Sequence, residues 1–260
     1  MEITRLFGLV GKPLGHSFSQ RYFTEKFERE GLPSCAYRNF ELDSADQLRP
    51  LVQRYPELCG LNVTIPYKKE VIAQLDALSD EAAEVGAVNV VAISRTADGV
   101  FLKGYNTDTL GFDGALQCCL DSRDACFPQA GPAVRALVLG TGGASAAVQY
   151  VLRKRGMEVQ SVSRSDRADW TYRSLTAGVM EGFEVVVNAT PLGTWPATEE
   201  FPPIPYEGIR PGTVCFDLVY NPPETAFMKK CARQQAVVSS GLAMLHGQAE
   251  AAWRIWNNLV

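Results

Sequence analysis

The chain has 260 residues, 46% of them hydrophobic, which suits one large domain or two modest ones, each able to bury a real core. Its 25 Lys and Arg against 29 Asp and Glu give a net charge of −4, spread along the chain, which argues against a nucleic-acid track or a membrane-surface patch. No apolar run reaches membrane-spanning length, and Met1-Glu2-Ile3-Thr4-Arg5 lacks the basic-then-apolar plan of a signal peptide, so a cytoplasmic protein is expected.

Ile3–Val10 reads as a buried strand. A glycine- and proline-punctuated loop from Gly11 to Ser19 then runs into a helix from about Ser17 to Glu30. Ser17 or Ser19 is simply its cap on the plainest reading. Two hydroxyls at a helix N-terminus also make a seat for a carboxylate, because the dipole and the unpaired N–H groups favour an anion there. A strand over Tyr37–Leu42, a helix over Ala45–Arg54 and a strand over Leu58–Ile65 complete a β-α-β-α-β series. Such a series needs a mostly parallel sheet covered by helices.

The third strand ends in Leu61-Asn62-Val63-Thr64-Ile65-Pro66-Tyr67-Lys68. Polar Asn62, Thr64 and Lys68 emerge there at the carboxyl end, where ligands of open α/β sheets bind. Pro66 suits the first turn of a helix continuing through Leu75, which holds Lys68 near its start. A lysine there opposes the helix dipole, yet a solvated charge like its neighbour Lys69 explains it equally well. Asp80–Val85 is a short helix, and Gly86–Ser94 a strand that carries Asn89 among apolar neighbours. Asp98-Gly99 turns that strand back into Val100–Lys103. A buried asparagine must find partners. The next helix runs to about Leu120 with Thr107 or Asp108 as its cap, and Asp121–Ala133, rich in turn residues, reads as a surface loop.

Arg135 to Val148 (R-A-L-V-L-G-T-G-G-A-S-A-A-V) is the stretch around which the rest is organised. An apolar strand ends at Gly140, and small residues open a helix through Leu152. Gly140 permits a tight turn, and Gly142 lets the backbone approach phosphates. Gly143, Ala144 and Ser145 keep the helix N-terminus clear for an anion. Its place between a strand and a helix favours nucleotide binding over a plain connecting turn.

Glu158–Val162, the second strand of this unit, ends at Ser163-Arg164-Ser165-Asp166-Arg167, and Ser163 lies 23 residues after Gly140. That is close to where a dinucleotide fold places its ribose-recognition residue. An acidic residue ending the strand would argue for NAD. Ser163, Arg164 and Arg167 instead make a ribose 2′-phosphate the more natural partner, with Asp166 opposing it. Strands over Phe183–Asn188 and Thr213–Val219 also end in polar and turn residues. Val237-Val238 makes a last short strand before Gly241, and Leu242–Leu259 is an amphipathic helix whose apolar stripe is expected to return to the first domain.

The seven cysteines are odd in number and show no C-x-x-C spacing, which suggests reduced thiols. With only His16 and His246 in the chain, no His/Cys metal site is expected.

Several motifs taken together resemble the shikimate dehydrogenase family. They are Gly11-x-Pro13-x-x-His16-Ser17-x-Ser19, Asn62-Val63-Thr64-x-Pro66-x-Lys68, Gly86-Ala87-Val88-Asn89, Asn106-Thr107-Asp108, Gly140-x-Gly142-Gly143-Ala144, Asn188-Ala189-Thr190, Asp217-x-x-Tyr220-x-Pro222 and Gly241-x-x-Met244-Leu245-x-x-Gln248. They stand in family order over nearly the whole chain. The resemblance implies an α/β protein of two domains. The first, a mostly parallel α/β substrate-binding domain over residues 1–107, is joined by residues 241–260 as the C-terminal helix returns to it. The second, over residues 108–240, is a Rossmann domain that binds NADP, and the reaction lies in a cleft between the two.

The implied activity is NADP-linked interconversion of 3-dehydroshikimate and shikimate, on the chorismate route to the aromatic amino acids. Ser17 and Ser19 would hold the substrate carboxylate with help from Tyr220, while Asn62, Thr64, Asn89 and Gln248 take the ring hydroxyls. Lys68 and Asp108 would be the catalytic pair. Gly140, Thr141, Gly142, Gly143 and Ala144 would bind the pyrophosphate, and Ser163, Arg164, Ser165 and Arg167 the adenosine end, with Leu218 and Gly241 at the nicotinamide. The partner expected is a small-molecule substrate, with no nucleic acid or membrane, on a monomer or homodimer.

Two departures stand out: Ser163-Arg164-Ser165 where the family commonly shows Asn-Arg-Thr, and Val90 where it usually has Thr. The alternatives are a quinate/shikimate dehydrogenase using NAD or both cofactors, and a non-catalytic sensor of dinucleotide or shikimate. Retention of both Lys68 and Asp108 argues against the sensor. Paired Ser17 and Ser19 argue against a dehydrogenase of the related folate or amino-acid type.

Overall fold

The computed structural model describes residues 3–15, 17–97, 99–126, 134–166 and 168–258. The chain divides into two compact units, Met1–Thr107 with Ala249–Val260, and Asp108–Gln248. In the first unit the elements are β1 (Arg5–Gly11), α1 (Phe18–Arg29), β2 (Cys35–Glu41), α2 (Leu48–Arg54), β3 (Leu58–Val63), β4 (Ala77–Leu78), α3 (Asp80–Val85), β5 (Val90–Thr96) and β6 (Gly99–Tyr105). The sheet runs β2-β1-β3-β5-β6-β4. Its first three strands are parallel, and β5 and β6 join antiparallel as a hairpin.

Alternation along β1 sends Leu6 and Val10 into one core with Leu48, Leu58 and Leu61, and Phe7 and Leu9 into the opposite one with Phe23, Phe27 and Trp256. A strand buried on both faces has no polar face to show, which is why β1 reads as a continuous apolar run.

The second unit holds α4 (Asp108–Cys126), β7 (Arg135–Leu139), α5 (Gly143–Lys154), β8 (Glu158–Ser163), β9 (Trp170–Thr171), α6 (Ala177–Met180), β10 (Val185–Asn188), β11 (Val214–Asp217), α7 (Ala226–Ala232) and β12 (Val237–Ser239). Its strands are all parallel, in the order β12-β11-β10-β7-β8-β9. Counted within the unit, that is the 3-2-1-4-5-6 order of dinucleotide-binding folds, with the reversal between β7 and β10. Ala136 and Val138 face one core and Leu137 and Leu139 the other.

The last helix, α8 (Leu242–Trp256), gives its first residues to the second unit and the rest to the first. Its later part is fixed by charge as well as by packing. The buried Lys26 ammonium on α1 donates to Glu250 at 2.9 Å and to Glu30 at 2.6 Å, and Tyr22 donates to the same Glu250 carboxylate.

Several expectations are corrected. Residues 66–69 are turns and only Glu70–Gln74 forms a short 3-10 helix, not a helix from Pro66 to Leu75. The Lys68 carbonyl, which a helix would pair with Ile72, accepts instead from the Val88 N–H at 2.7 Å. Helix α4 continues through Cys126, where a loop from Asp121 was expected. The sequence holds no Gly or Pro from Ala115 to Phe127, and Gln117 bonds Asp121 one turn on at 2.7 Å. The remainder of that expected loop, 127–133, lies outside the described residues, as does Asp98.

The strand expected from Gly86 begins at Val90, because Gly86, at φ +66°, is the left-handed C-cap of α3. Residues 241–248 group with the second unit and 249–260 with the first. The backbone of Gly111 leaves no room for a side chain against Met244 and Gln248, a contact internal to the second unit.

Candidate active site

In the first unit, polar groups collect at the carboxyl ends of β1 and β3. Ser17 is the N-cap of α1, its Oγ accepting from the Ser19 N–H at 3.3 Å, which settles which serine caps the helix. The Ser19 side chain meets the Tyr37 hydroxyl, and Tyr37 donates to Asn62 Oδ1 at 2.7 Å. Burial raises the Tyr37 phenol well above its ordinary value, so it stays protonated and keeps its donor role. Asn62 is 4% exposed, and its Nδ2 is a buried donor with no partner among the described residues. Folded proteins leave few buried donors unpaired, so this one calls for a partner that the described residues do not supply.

Thr64 follows at the strand end, its N–H donating to the Val10 carbonyl and its methyl against Gly11. Lys68 is half-buried, and Lys69 beside it is exposed. Asn89 is buried: its Oδ1 accepts from the Thr107 N–H at 2.7 Å, and its Nδ2 donates to Thr107 Oγ1 at 3.1 Å. That pair fixes the residue before α4, which opens on Asp108.

The second unit holds the other expected set. At Gly140 φ is +107°, and a Cβ there would stand 3.1 Å from the Ala189 carbonyl, so only glycine turns the chain where β7 meets the end of β10. Ser145 Oγ donates to the Gly140 carbonyl at 2.6 Å, tying the turn to the first turn of α5. Gly142 is the N-cap of α5, with no side chain capping it, and open space lies before it. Free N–H groups, a helix dipole and open space fit a nucleotide pyrophosphate. Ser163 and Ser165 close a small turn, Ser165 N–H to Ser163 Oγ at 2.9 Å, with Arg164 and Asp166 both exposed around it. Arg167 lies outside the described residues.

Gly241 stands where a Cβ would be 2.2 Å from the Leu218 carbonyl, so Leu218 and Gly241 share one place at the end of β11. Tyr220 is half-buried just beyond β11, which raises its phenol. Gln248 donates to the Leu245 carbonyl at 3.0 Å. Among the described residues no group of three or more His, Cys, Asp or Glu could hold a metal ion, and no helix is long and apolar enough to cross a membrane.

Two side-chain pairings, Tyr37–Asn62 and Asn188–Asp217, are not legible in the sequence. Tyr37 marked only the start of an expected strand. Asp217, fully buried, accepts from Asn188 Nδ2 at 2.9 Å, Thr225 Oγ1 at 2.6 Å and the Val219 N–H at 3.0 Å. The Tyr37–Asn62 and Asn188–Asp217 bonds each join residues far apart in the chain, which no local pattern encodes.

A Rossmann-ordered unit with a glycine turn and an uncapped helix at its strand reversal, in one chain with an α/β unit that gathers polar side chains at its strand ends, defines a nucleotide-linked dehydrogenase. Residues 9–91 match the family model of the shikimate dehydrogenase substrate binding domain. The chain belongs to the shikimate dehydrogenase family.

It is 35% identical to the shikimate dehydrogenase (NADP(+)) of Moorella thermoacetica over 97% of this chain and 88% of that one. With the enzyme of the same name from Halothermothrix orenii it shares 34% identity over 98% and 92%. Among solved structures, the shikimate 5-dehydrogenase of Thermus thermophilus in complex with NADP(H) and shikimate superposes with a TM-score of 0.80 at 31% identity, covering 98% of this chain and 94% of that one. The quinate dehydrogenase of Corynebacterium glutamicum in complex with NAD gives 0.81 at 26% identity, covering 98% and 94%.

Proposed function

We propose that the chain interconverts 3-dehydroshikimate and shikimate with NADP(H), on the chorismate route to the aromatic amino acids. The observation that carries this reading is the pairing, in the first unit, of a hydroxyl-capped helix terminus with the orphaned Asn62 amide. One seats an anion and the other a hydroxyl, the two groups that a hydroxylated ring acid presents.

On this reading Ser17, Ser19 and Tyr220 hold the carboxylate, and Asn62, Thr64, Asn89 and Gln248 the ring hydroxyls. Lys68 and Asp108 are the catalytic pair. As a ketone is reduced, negative charge builds on its oxygen, and the Lys68 ammonium stabilises that charge and donates the proton. In the alcohol-oxidising direction neutral Lys68 accepts it, and Asp108 positions the reacting hydroxyl. Gly140, Thr141, Gly142, Gly143 and Ala144 hold the pyrophosphate, Ser163, Arg164, Ser165 and Arg167 the adenosine end, and Leu218 and Gly241 the nicotinamide. NADP(H) bound there supplies or receives the hydride. The reading includes a cytoplasmic enzyme, working as a monomer or homodimer.

A second reading, a quinate/shikimate dehydrogenase that takes NAD, draws on the similarity to the NAD-bound quinate dehydrogenase and on the exposed Asp166 beside Arg164. Nicotinamide absorbance with shikimate or quinate, each with NADP and with NAD, separates the two. Turnover of NADP with shikimate alone upholds the first. Comparable turnover with quinate or NAD upholds the second. Shikimate binding without any turnover overturns both in favour of a sensor.

A further inference from the structure

We propose that Tyr37 is a positioning residue, which locks Asn62 so that its amide N–H2, and not its carbonyl, faces the substrate. The inference rests on the shikimate reading only in taking the ligand atom at Asn62 to be a ring hydroxyl oxygen.

An asparagine side chain has a donor end and an acceptor end, and a binding site built on one needs a reason for which end turns outward. Here the phenol of Tyr37 has a single proton and gives it to Asn62 Oδ1 at 2.7 Å. That bond directs the carbonyl inward, and Nδ2 is left as the buried donor without a partner among the described residues.

The phenol itself is held. Tyr37 is 4% exposed, and its ring stacks on Phe23 with centroids 4.7 Å apart and planes 8° from parallel. Phe23 belongs to α1, the helix that Ser17 caps, and the Ser19 side chain meets the Tyr37 hydroxyl. One phenol thus touches both a serine of the anion seat and the asparagine of the hydroxyl seat. Because the outward group is a donor, the substrate hydroxyl must accept there, which leaves its own proton for another partner. A site that would leave buried donors unpaired discriminates strongly against a ligand lacking the acceptor.

The test is a double-mutant cycle on the full chain, read as the Kd of shikimate by calorimetry, with the Kd of NADP as a check that the second unit is intact. Tyr37→Phe should weaken shikimate about tenfold, the worth of one hydrogen bond. In the Asn62→Ala background the same change should matter less than twofold. KM for shikimate should follow Kd, with kcat changing less.

Asn62→Asp, which keeps an acceptor for Tyr37 and replaces the outward donor by an oxygen, should bind shikimate no better than Asn62→Ala. This arm holds even if Tyr37→Phe folds poorly. An equal loss from Tyr37→Phe in both backgrounds, no loss in either, or near-normal binding by Asn62→Asp would overturn the assignment. Wild-type binding of shikimate without turnover would count against the proposed activity and leave the cycle to judge Tyr37. No wild-type binding would overturn both.

Discussion

Asn188 and Asp217 close the ends of two neighbouring strands onto each other, Nδ2 to Oδ1 at 2.9 Å, with both side chains fully buried. Burial pushes the Asp217 carboxyl up to about 6, against the bonds from Thr225, Val219 and Asn188 that pull it down. Its ordinary value is 3.8, so the folded chain holds this proton more tightly than the unfolded one. The stability it contributes is complete below the unfolded value and is lost as pH rises through about 6. A shift of about two units corresponds to roughly 3 kcal/mol. Urea unfolding at several pH values should show this decline in the wild type and a flatter profile in Asp217→Asn; identical profiles would exclude Asp217 as its source.

Gly140→Ala forces a side chain into a left-handed backbone facing the Ala189 carbonyl and the Thr190 methyl. We expect a loss of about 1–3 kcal/mol of stability. If the turn shifts to relieve the strain, the Kd for NADP rises while that for shikimate holds. Calorimetry with each ligand measures both, and an unchanged affinity for NADP would remove this turn from the nucleotide site.

Lys68→Ala should lower kcat by about 10²–10⁴-fold, the usual range for a general acid or base, with a modest change in KM. A loss confined to KM would reduce Lys68 to a binding residue.

Arg164→Ala should raise the KM for NADP about tenfold or more and leave that for NAD nearly unchanged, since a 2′-phosphate is what the guanidinium would read. Equal effects on the two cofactors would assign Arg164 to the ribose or adenine instead.

Lys26 is 4% exposed as a side chain and answers to two carboxylates, Glu30 and Glu250. Removing Glu250 leaves a buried ammonium with one partner. Because Glu250 is 38% exposed and Glu30 remains, the cost of Glu250→Ala should be about 1–3 kcal/mol, below that of a fully buried pair. Lys26→Met, which leaves only carboxylates that can turn to water, should cost less. Equilibrium unfolding of the two variants gives the order, and the reverse order would show that the stem of Lys26 matters more than its charge.

Much of the fold was legible because buried parallel strands such as Arg135–Leu139 are nearly all apolar and end in glycine, and because Ser17 announces a helix start that the structure honours. The glycine turn was readable for the same reason: its residues are contiguous. The expectations that failed were those in which a distant partner decides the outcome. Pro66 had the right residue type for a helix start, and the Lys68 carbonyl then found Val88. Tyr37 and Asn62 are 25 residues apart, and Asn188 and Asp217 are 29 apart, so although Asn62, Asn188 and Asp217 each stand in a motif, no period or motif joins either pair.

The first unit is assembled from the two ends of the chain. Trp256 lies over Gly60, where a Cβ would come within 2.2 Å of its indole ring, and its Nε1 donates to the Val91 carbonyl at 3.2 Å. On the ribosome, residues 1–107 therefore cannot finish their core until about 150 further residues have emerged. The second unit, contiguous in the chain, is synthesised in full before Trp256 is reached. A stop codon a few residues before Trp256 would thus strike the unit whose larger part was already made.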